Sequence, residues 1–205
     1  MEDLTSVVDS LQVLAQIFPM SLSILSSTLD TVSTEPPSNN SLLDPSFWPG
    51  ILPSHTFATA PKNIEVLIVP GGPGMISPEV SAPAAEYIRD VYPQLRYLLT
   101  ICTGAGIAAR SGVLDGRRAT TNKQSWATIT AMGPKTIWVS PARWVVDGNI
   151  WSSSGVTAGL DLTYAWIQQI WGEEWAMRVS GMLEYVPHPQ DFDPFAEIFN
   201  VTPSG

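Results

Sequence analysis

Apolar residues fall along this chain in two alternating rhythms. Over residues 3–17, Val7, Val8, Leu11, Val13, Leu14 and Ile17 recur at helical spacing, with Thr5 or Ser6 placed to cap the start. Residues 21–26 (SLSILS) alternate and read as a short strand. Residues 34–50 collect Pro36, Pro37, Asn39, Asn40, Pro45, Pro49 and Gly50, which predicts a loop excursion. A buried strand follows over 64–69 (IEVLIV), stopped by Pro70-Gly71-Gly72-Pro73-Gly74. A helix is predicted over roughly 82–92, then a second buried strand over 96–101 (RYLLTI), ending at Cys102. Gly104, Ala105, Gly106, Ala108 and Ala109 then open a small-residue helix closed by Ser111-Gly112.

The alternation continues toward the C-terminus. Residues 119–121 read as a short strand and 125–132 as a helix. Residues 136–139, 144–146 and 150–153 read as strands, the last two joined by a hairpin turn at Asp147-Gly148-Asn149. Two helices are predicted over 158–171 and 173–184, and the Pro- and Asp-rich residues 187–205 read as a surface tail. Strands alternating with helices imply a mostly parallel sheet covered on both faces. The expected fold is therefore a flavodoxin-like, doubly wound α/β domain carrying a small antiparallel hairpin, with residues 1–205 forming one domain.

Composition narrows the function classes. A chain of 205 residues, 44% hydrophobic, can bury a substantial core. No apolar run reaches the roughly 18 residues of a membrane helix, and Met1-Glu2-Asp3 does not begin a signal peptide, so a cytoplasmic protein is expected. The net charge is −9, and Arg117-Arg118 is the nearest approach to a basic cluster, so nucleic acid is not an expected partner. One cysteine permits no intrachain disulfide and no Cys-rich zinc site.

That cysteine is either an inert buried side chain or a nucleophile, and its neighbourhood favours the second. Cys102 stands where an apolar strand meets a small-residue helix, and ligands of open α/β sheets gather at the carboxyl ends of strands. A tight turn there exposes the side chain at a helix N-terminus, which favours a thiolate. Gly71-Gly72 ends the neighbouring strand and is either a plain turn or a pair of backbone donors for an oxyanion.

The segments VPGGPG, ICTGAGIAARSGVLDGRRATTNK and DGNIWSSSGVTAGLDL, in that order and spacing over roughly residues 64–186, resemble the DJ-1/PfpI superfamily. The opening EDLTSVVDSLQVL and the closing MLEYVPHP look most like its isocyanide hydratase branch and fungal relatives. The resemblance implies a homodimer acting on a small molecule without metal or organic cofactor. It also implies that Cys102 is the elbow nucleophile and Asp3 its acidic partner, the alternative for Asp3 being a simple helix-dipole acid. In a hydration of R–N≡C the thiol would add to the isocyanide carbon, and water would release an N-formamide. Thr103 and Gly72 would offer backbone N–H groups to the bound species.

The sequence also departs from the family. Relatives begin with a strand before the acidic loop, whereas this sequence begins almost at Asp3, so either that strand precedes these residues or the sheet does without it. Thr103 stands where the protease-like branch has a histidine, so a peptidase loses its base. Asn122 stands where many relatives carry a histidine, and His55 and His188 read as structural or surface residues. Trp138, Trp144, Trp151, Trp166, Trp171 and Trp175 read as core or interface anchors, while Trp48 and Trp126 are candidates to line an apolar pocket. Ser152, Ser153, Ser154 and Thr157 either cap a helix or meet the pocket. The leading expectation is a cofactor-independent lyase. A glyoxalase-type activity on 2-oxoaldehydes and a redox-sensing or chaperone-like dimer are the alternatives.

Overall fold

The computed structural model describes residues 2–36 and 44–202. Part of the predicted 34–50 excursion therefore lies outside the described residues. In chain order, helix α1 (Glu2–Ala15) is followed by strands β1 (Leu25–Ser26), β2 (Val32–Ser33), β3 (Gly50–Ile51), β4 (His55–Thr56) and β5 (Val66–Val69). Then come α2 (Pro78–Val91), β6 (Tyr97–Thr100), α3 (Gly104–Arg110), β7 (Arg118–Ala119), α4 (Trp126–Thr130) and β8 (Ile137–Trp138). The chain ends with β9 (Trp144–Asp147), β10 (Ile150–Ser153), α5 (Val156–Trp171), α6 (Glu173–Met182) and α7 (Phe195–Ile198).

The main sheet has the order β5-β6-β10-β9. β5, β6 and β10 run parallel, and β9 closes one edge as the antiparallel arm of a hairpin with β10. Gly148 supplies the positive φ of 62° that the hairpin turn requires. Successive residues of the central strands serve opposite faces, as the period of two demands. Leu98 and Ile150 enter one core with Ile88, Ala105, Ala108 and Ile129, while Leu99 and Trp151 enter the other with Val7, Leu14, Leu162 and Ile167. The protein is thus a three-layer α/β/α domain of flavodoxin-like design, with α2, α3 and α4 on one face and α1, α5 and α6 on the other.

Several boundaries moved for identifiable reasons. α2 begins at Pro78 rather than near 82, because proline at the first helical position loses no hydrogen bond, and the helix tolerates Pro83. The SLSILS strand shortens to Leu25–Ser26, which pairs with β4 and not with the main sheet. The hydroxyl-rich turn before α5 does not cap it, since Gly155 occupies the cap position in an extended conformation. Residues 187–202 are largely exposed, yet Asp193 is buried and Val201 packs against the α2–α4 core.

Helix α1 is held by its apolar stripe. Val7 and Leu14 are fully buried against α5 and the sheet. Replacing Leu14 by Ala should lower unfolding free energy by about 2–5 kcal/mol, seen as a reduced urea midpoint at an unchanged m-value. A midpoint equal to wild type would mean that α1 is not docked as described.

Candidate active site

The site grows from the carboxyl ends of β5 and β6. Ile101 N–H donates to Val69 O at 2.9 Å, which keeps the two chains in register one residue past the ladder. The backbone then turns sharply. Cys102 has φ +56°, a left-handed conformation uncommon for a non-glycine residue and costly enough to need support from its surroundings. Two contacts supply it: Gly104 N–H donates to Ile101 O at 2.9 Å, and the Thr121 hydroxyl donates to Cys102 O at 2.9 Å. Gly104 also permits the start of α3 to press on β5, because a Cβ there would lie 2.2 Å from Val69 O.

Gly71 and Gly72 lie beside this elbow. The Gly71 N–H donates to Asp3 Oδ2 at 3.0 Å, and the Gly72 N–H donates to Thr103 Oγ1 at 3.0 Å. Both donors are therefore engaged by side chains, which differs from the expectation that they stand free for an oxyanion. A Cβ on Gly71 would come within 2.6 Å of Thr103 Oγ1 and 2.8 Å of Asp3 Oδ2, so glycine is what allows these three groups to converge. Asp3 is only 5% exposed, held there by the docking of α1.

Burial pushes the Cys102 thiol up to about 12, and the Asp3 carboxylate beside it adds to the rise. The Thr103 N–H and the Asn122 side chain favour the thiolate, but they are outweighed. The thiolate expected from the helix terminus is thus not the resting form. Helix α3 spans only seven residues, and desolvation plus a neighbouring carboxylate outweigh its dipole. Asn122 is itself oriented, because its Oδ1 accepts from Ser125 N–H at 3.0 Å and its amide NH2 is left as the free end.

The other candidates lie elsewhere. His188 stacks on Phe192, and its backbone N–H donates to Asp161 Oδ1 at 2.7 Å. His55 Nδ1 lies 2.9 Å from Ser54 Oγ. Thr157 Oγ1 accepts from Arg143 at 3.2 Å, and Ser154 Oγ accepts from Lys123 at 3.2 Å. Trp126 packs in the core against Trp138 and borders a surface cleft with Phe199 and Val201. The Trp48 indole packs edge-on against Phe47.

Two buried ion pairs, Lys123–Asp193 and Arg143–Asp161, were not visible in the sequence. Burial draws Lys123 down from its ordinary value, while Asp193 opposes that fall. The Thr121 contact was missed as well. The only sequence signal for these groups was the polar run Thr120–Lys123 after a short strand.

Two outcomes follow from the thiol's environment. Asp3→Asn removes the carboxylate that opposes ionisation, so Cys102 alkylation by iodoacetamide at fixed pH should accelerate several-fold, up to about tenfold. An unchanged or slower rate would place the carboxylate out of electrostatic reach. Because the folded-state value lies above the ordinary 9.0, the native state retains a proton that the unfolded chain loses. The thiol's contribution to stability is full below about 9 and is lost as pH rises toward about 12. Urea midpoints should therefore fall less steeply over that window in Cys102→Ala than in wild type.

A match to the DJ-1/PfpI family spans residues 30–169. The isonitrile hydratase of Pseudomonas putida is 34% identical over 139 residues, covering 67% of this chain and 58% of that protein. A deglycase of Pyrococcus horikoshii is 32% identical over 109 residues, covering 53% and 61%. The chain thus spans less than two thirds of either relative's length. Among solved structures, a ThiJ/PfpI family protein from Pseudomonas syringae superposes with a TM-score of 0.75 at 25% identity, covering 92% of this chain and 71% of that one. With its left-handed cysteine at the end of β6 and the family match over most of its length, the chain belongs to the DJ-1/PfpI family.

Proposed function

We propose that this chain is a cofactor-independent, cysteine-dependent lyase that hydrates a small electrophile such as an isocyanide to its N-formamide. The observation that carries the reading is the buried Asp3 carboxylate against the Cys102 thiol. Two adjacent acids that share one negative charge form a proton shuttle.

Asp3 takes the thiol proton as sulfur bonds to the terminal isocyanide carbon. The same proton passes to that carbon, giving a thioimidate, R–N=CH–S–Cys102. Water then adds across C=N, with Asp3 relaying a proton to nitrogen. Collapse of the tetrahedral adduct breaks the C–S bond, releases R–NH–CHO and returns the proton to sulfur. The sum is R–NC plus water to the formamide, with no redox change. In this scheme Gly71 holds Asp3 through its N–H, Gly72 holds the Thr103 hydroxyl, and the Thr103 N–H and Asn122 amide stabilise the sulfur as it ionises. The similarity to an isonitrile hydratase supports the substrate class.

A second reading is addition of the same thiol to the carbonyl of a 2-oxoaldehyde, supported by the similarity to a deglycase. A redox-sensing role is favoured less, because oxidation follows thiolate character and this thiol is held protonated. The proposal includes one domain over residues 1–205 and a homodimer acting on a small molecule in the cytoplasm. No helix among the described residues is long and apolar enough to cross a membrane.

An aromatic isocyanide supplied to wild type should yield its N-formamide by mass spectrometry. Cys102→Ala should abolish turnover, and Asp3→Asn should lower kcat by about 10²–10⁴-fold, the usual worth of a positioned acid–base. Full turnover by Cys102→Ala would overturn the assignment. Conversion of methylglyoxal but not isocyanide would select the second reading.

A further inference from the structure

The mechanism leaves unused the buried polar cluster nearest the elbow. Lys123 Nζ pairs with Asp193 Oδ2 at 3.1 Å, and both side chains are 1% exposed. Four more oxygens share the protons of the same ammonium at hydrogen-bond distance: Thr120 Oγ1 at 3.0 Å, Thr121 O at 3.3 Å, Ala142 O at 3.0 Å and Ser154 Oγ at 3.2 Å. Asp193 is fixed in turn by Ala142 N–H, which donates to Oδ2 at 2.9 Å. One cation therefore ties together the 120–122 turn, the approach to β9, the end of β10 and the C-terminal segment.

The 120–122 turn is also what reaches the elbow. The Thr121 hydroxyl holds the Cys102 carbonyl at 2.9 Å, and the Asn122 side chain next to it favours the ionised thiol. An ammonium has only three protons and no preferred acceptor direction of its own, so a fixed counter-charge decides where it sits. Asp193 is that counter-charge, and it arrives on a segment whose other residues are largely exposed.

We propose that Asp193 is a positioning residue for Cys102: through Lys123 it fixes the Thr120–Asn122 turn, and so sets the hydrogen bonds that the elbow cysteine receives. Docking of the C-terminal segment then completes the site from behind, without touching the reacting atoms. The inference rests on Cys102 being the reactive group, and its test reads the thiol directly rather than turnover.

The experiment is a double-mutant cycle of Asp193→Asn and Asn122→Ala, read as the rate of Cys102 alkylation by iodoacetamide at one pH below the thiol's titration. Losing the Asn122 donor disfavours the thiolate, and each pKa unit is a tenfold loss of rate. Asp193→Asn should slow alkylation about three- to tenfold, Asn122→Ala comparably, and the pair no more than the slower single variant. An Asp193→Asn rate at or above wild type overturns the proposal. So does strict multiplication of the two effects, which would signify general loosening, and so does an Asn122→Ala variant that alkylates normally. If Asp193→Asn fails to fold, Lys123→Met with Asp193→Leu removes both charges together, a change that buried pairs often tolerate. It should show the same slowing and the same lack of additivity with Asn122→Ala. A hydratase assay that fails while this cycle behaves as stated would reject the substrate assignment alone.

Discussion

A buried carboxylate and a half-buried thiol side by side do not readily both ionise, and much of this structure serves to hold that pair together. Asp3 and Cys102 lie at opposite ends of the sequence-to-structure problem. One sits in the first turn of a helix, the other in the sharp turn between β6 and α3. Their meeting depends on α1 docking its Val7 and Leu14 stripe across α5, because nothing local to Asp3 would carry a carboxylate into a nearly closed space. The Gly71 N–H then meets it, and a side chain on Gly71 would collide with both Asp3 and Thr103.

The elbow itself shows how strain is maintained. A left-handed cysteine is unfavourable alone, so it persists only where its neighbours fix it from several directions. The ladder ends at Val69 O, α3 begins against the same carbonyl, and Thr121 holds the Cys102 carbonyl from a third element. Each of these supports belongs to a different part of the chain. The elbow is therefore rigid only once β5, α3 and the 120–122 turn are all assembled.

The strands and helices that bear the elbow were legible because they are long relative to their periodicity. IEVLIV and RYLLTI are apolar runs closed by glycine, proline or a small-residue helix, and both became neighbouring parallel strands. The pairs near residues 25, 32, 50 and 55 were not legible beyond one alternating run, since two-residue strands leave no periodic signal. Cys102, Gly71 and Gly72 could be named as candidates from their places at strand ends, and Thr103 and Asp3 from the family resemblance. Their hydrogen bonds could not: which N–H faces which oxygen depends on α1 arriving from elsewhere. The thiol's direction of shift failed for the same reason. Sequence shows the helix that follows Cys102 but neither the burial nor the carboxylate that overrides it. The Lys123–Asp193 pair had no sequence signal, Asp193 falling within the expected surface tail, because only tertiary structure brings the two charges together and closes over both.

The identity of the base limits the chemistry that fits the site. Thr103 follows the cysteine, Asn122 faces it, and His188 is turned toward Asp161 and Phe192. Asp3 is then the titratable group whose charge acts on the thiol, and in the proposed scheme the two exchange a single proton. Peptide hydrolysis asks for more, since the leaving amine must be protonated while a base activates first sulfur and then water. Hydration of an isocyanide asks for less. The proton removed from sulfur is the one the carbon needs, and the water that ends the cycle restores it. A neutral thiol at rest suits that economy, because proton transfer and attack then proceed together and no second buried charge is created along the way.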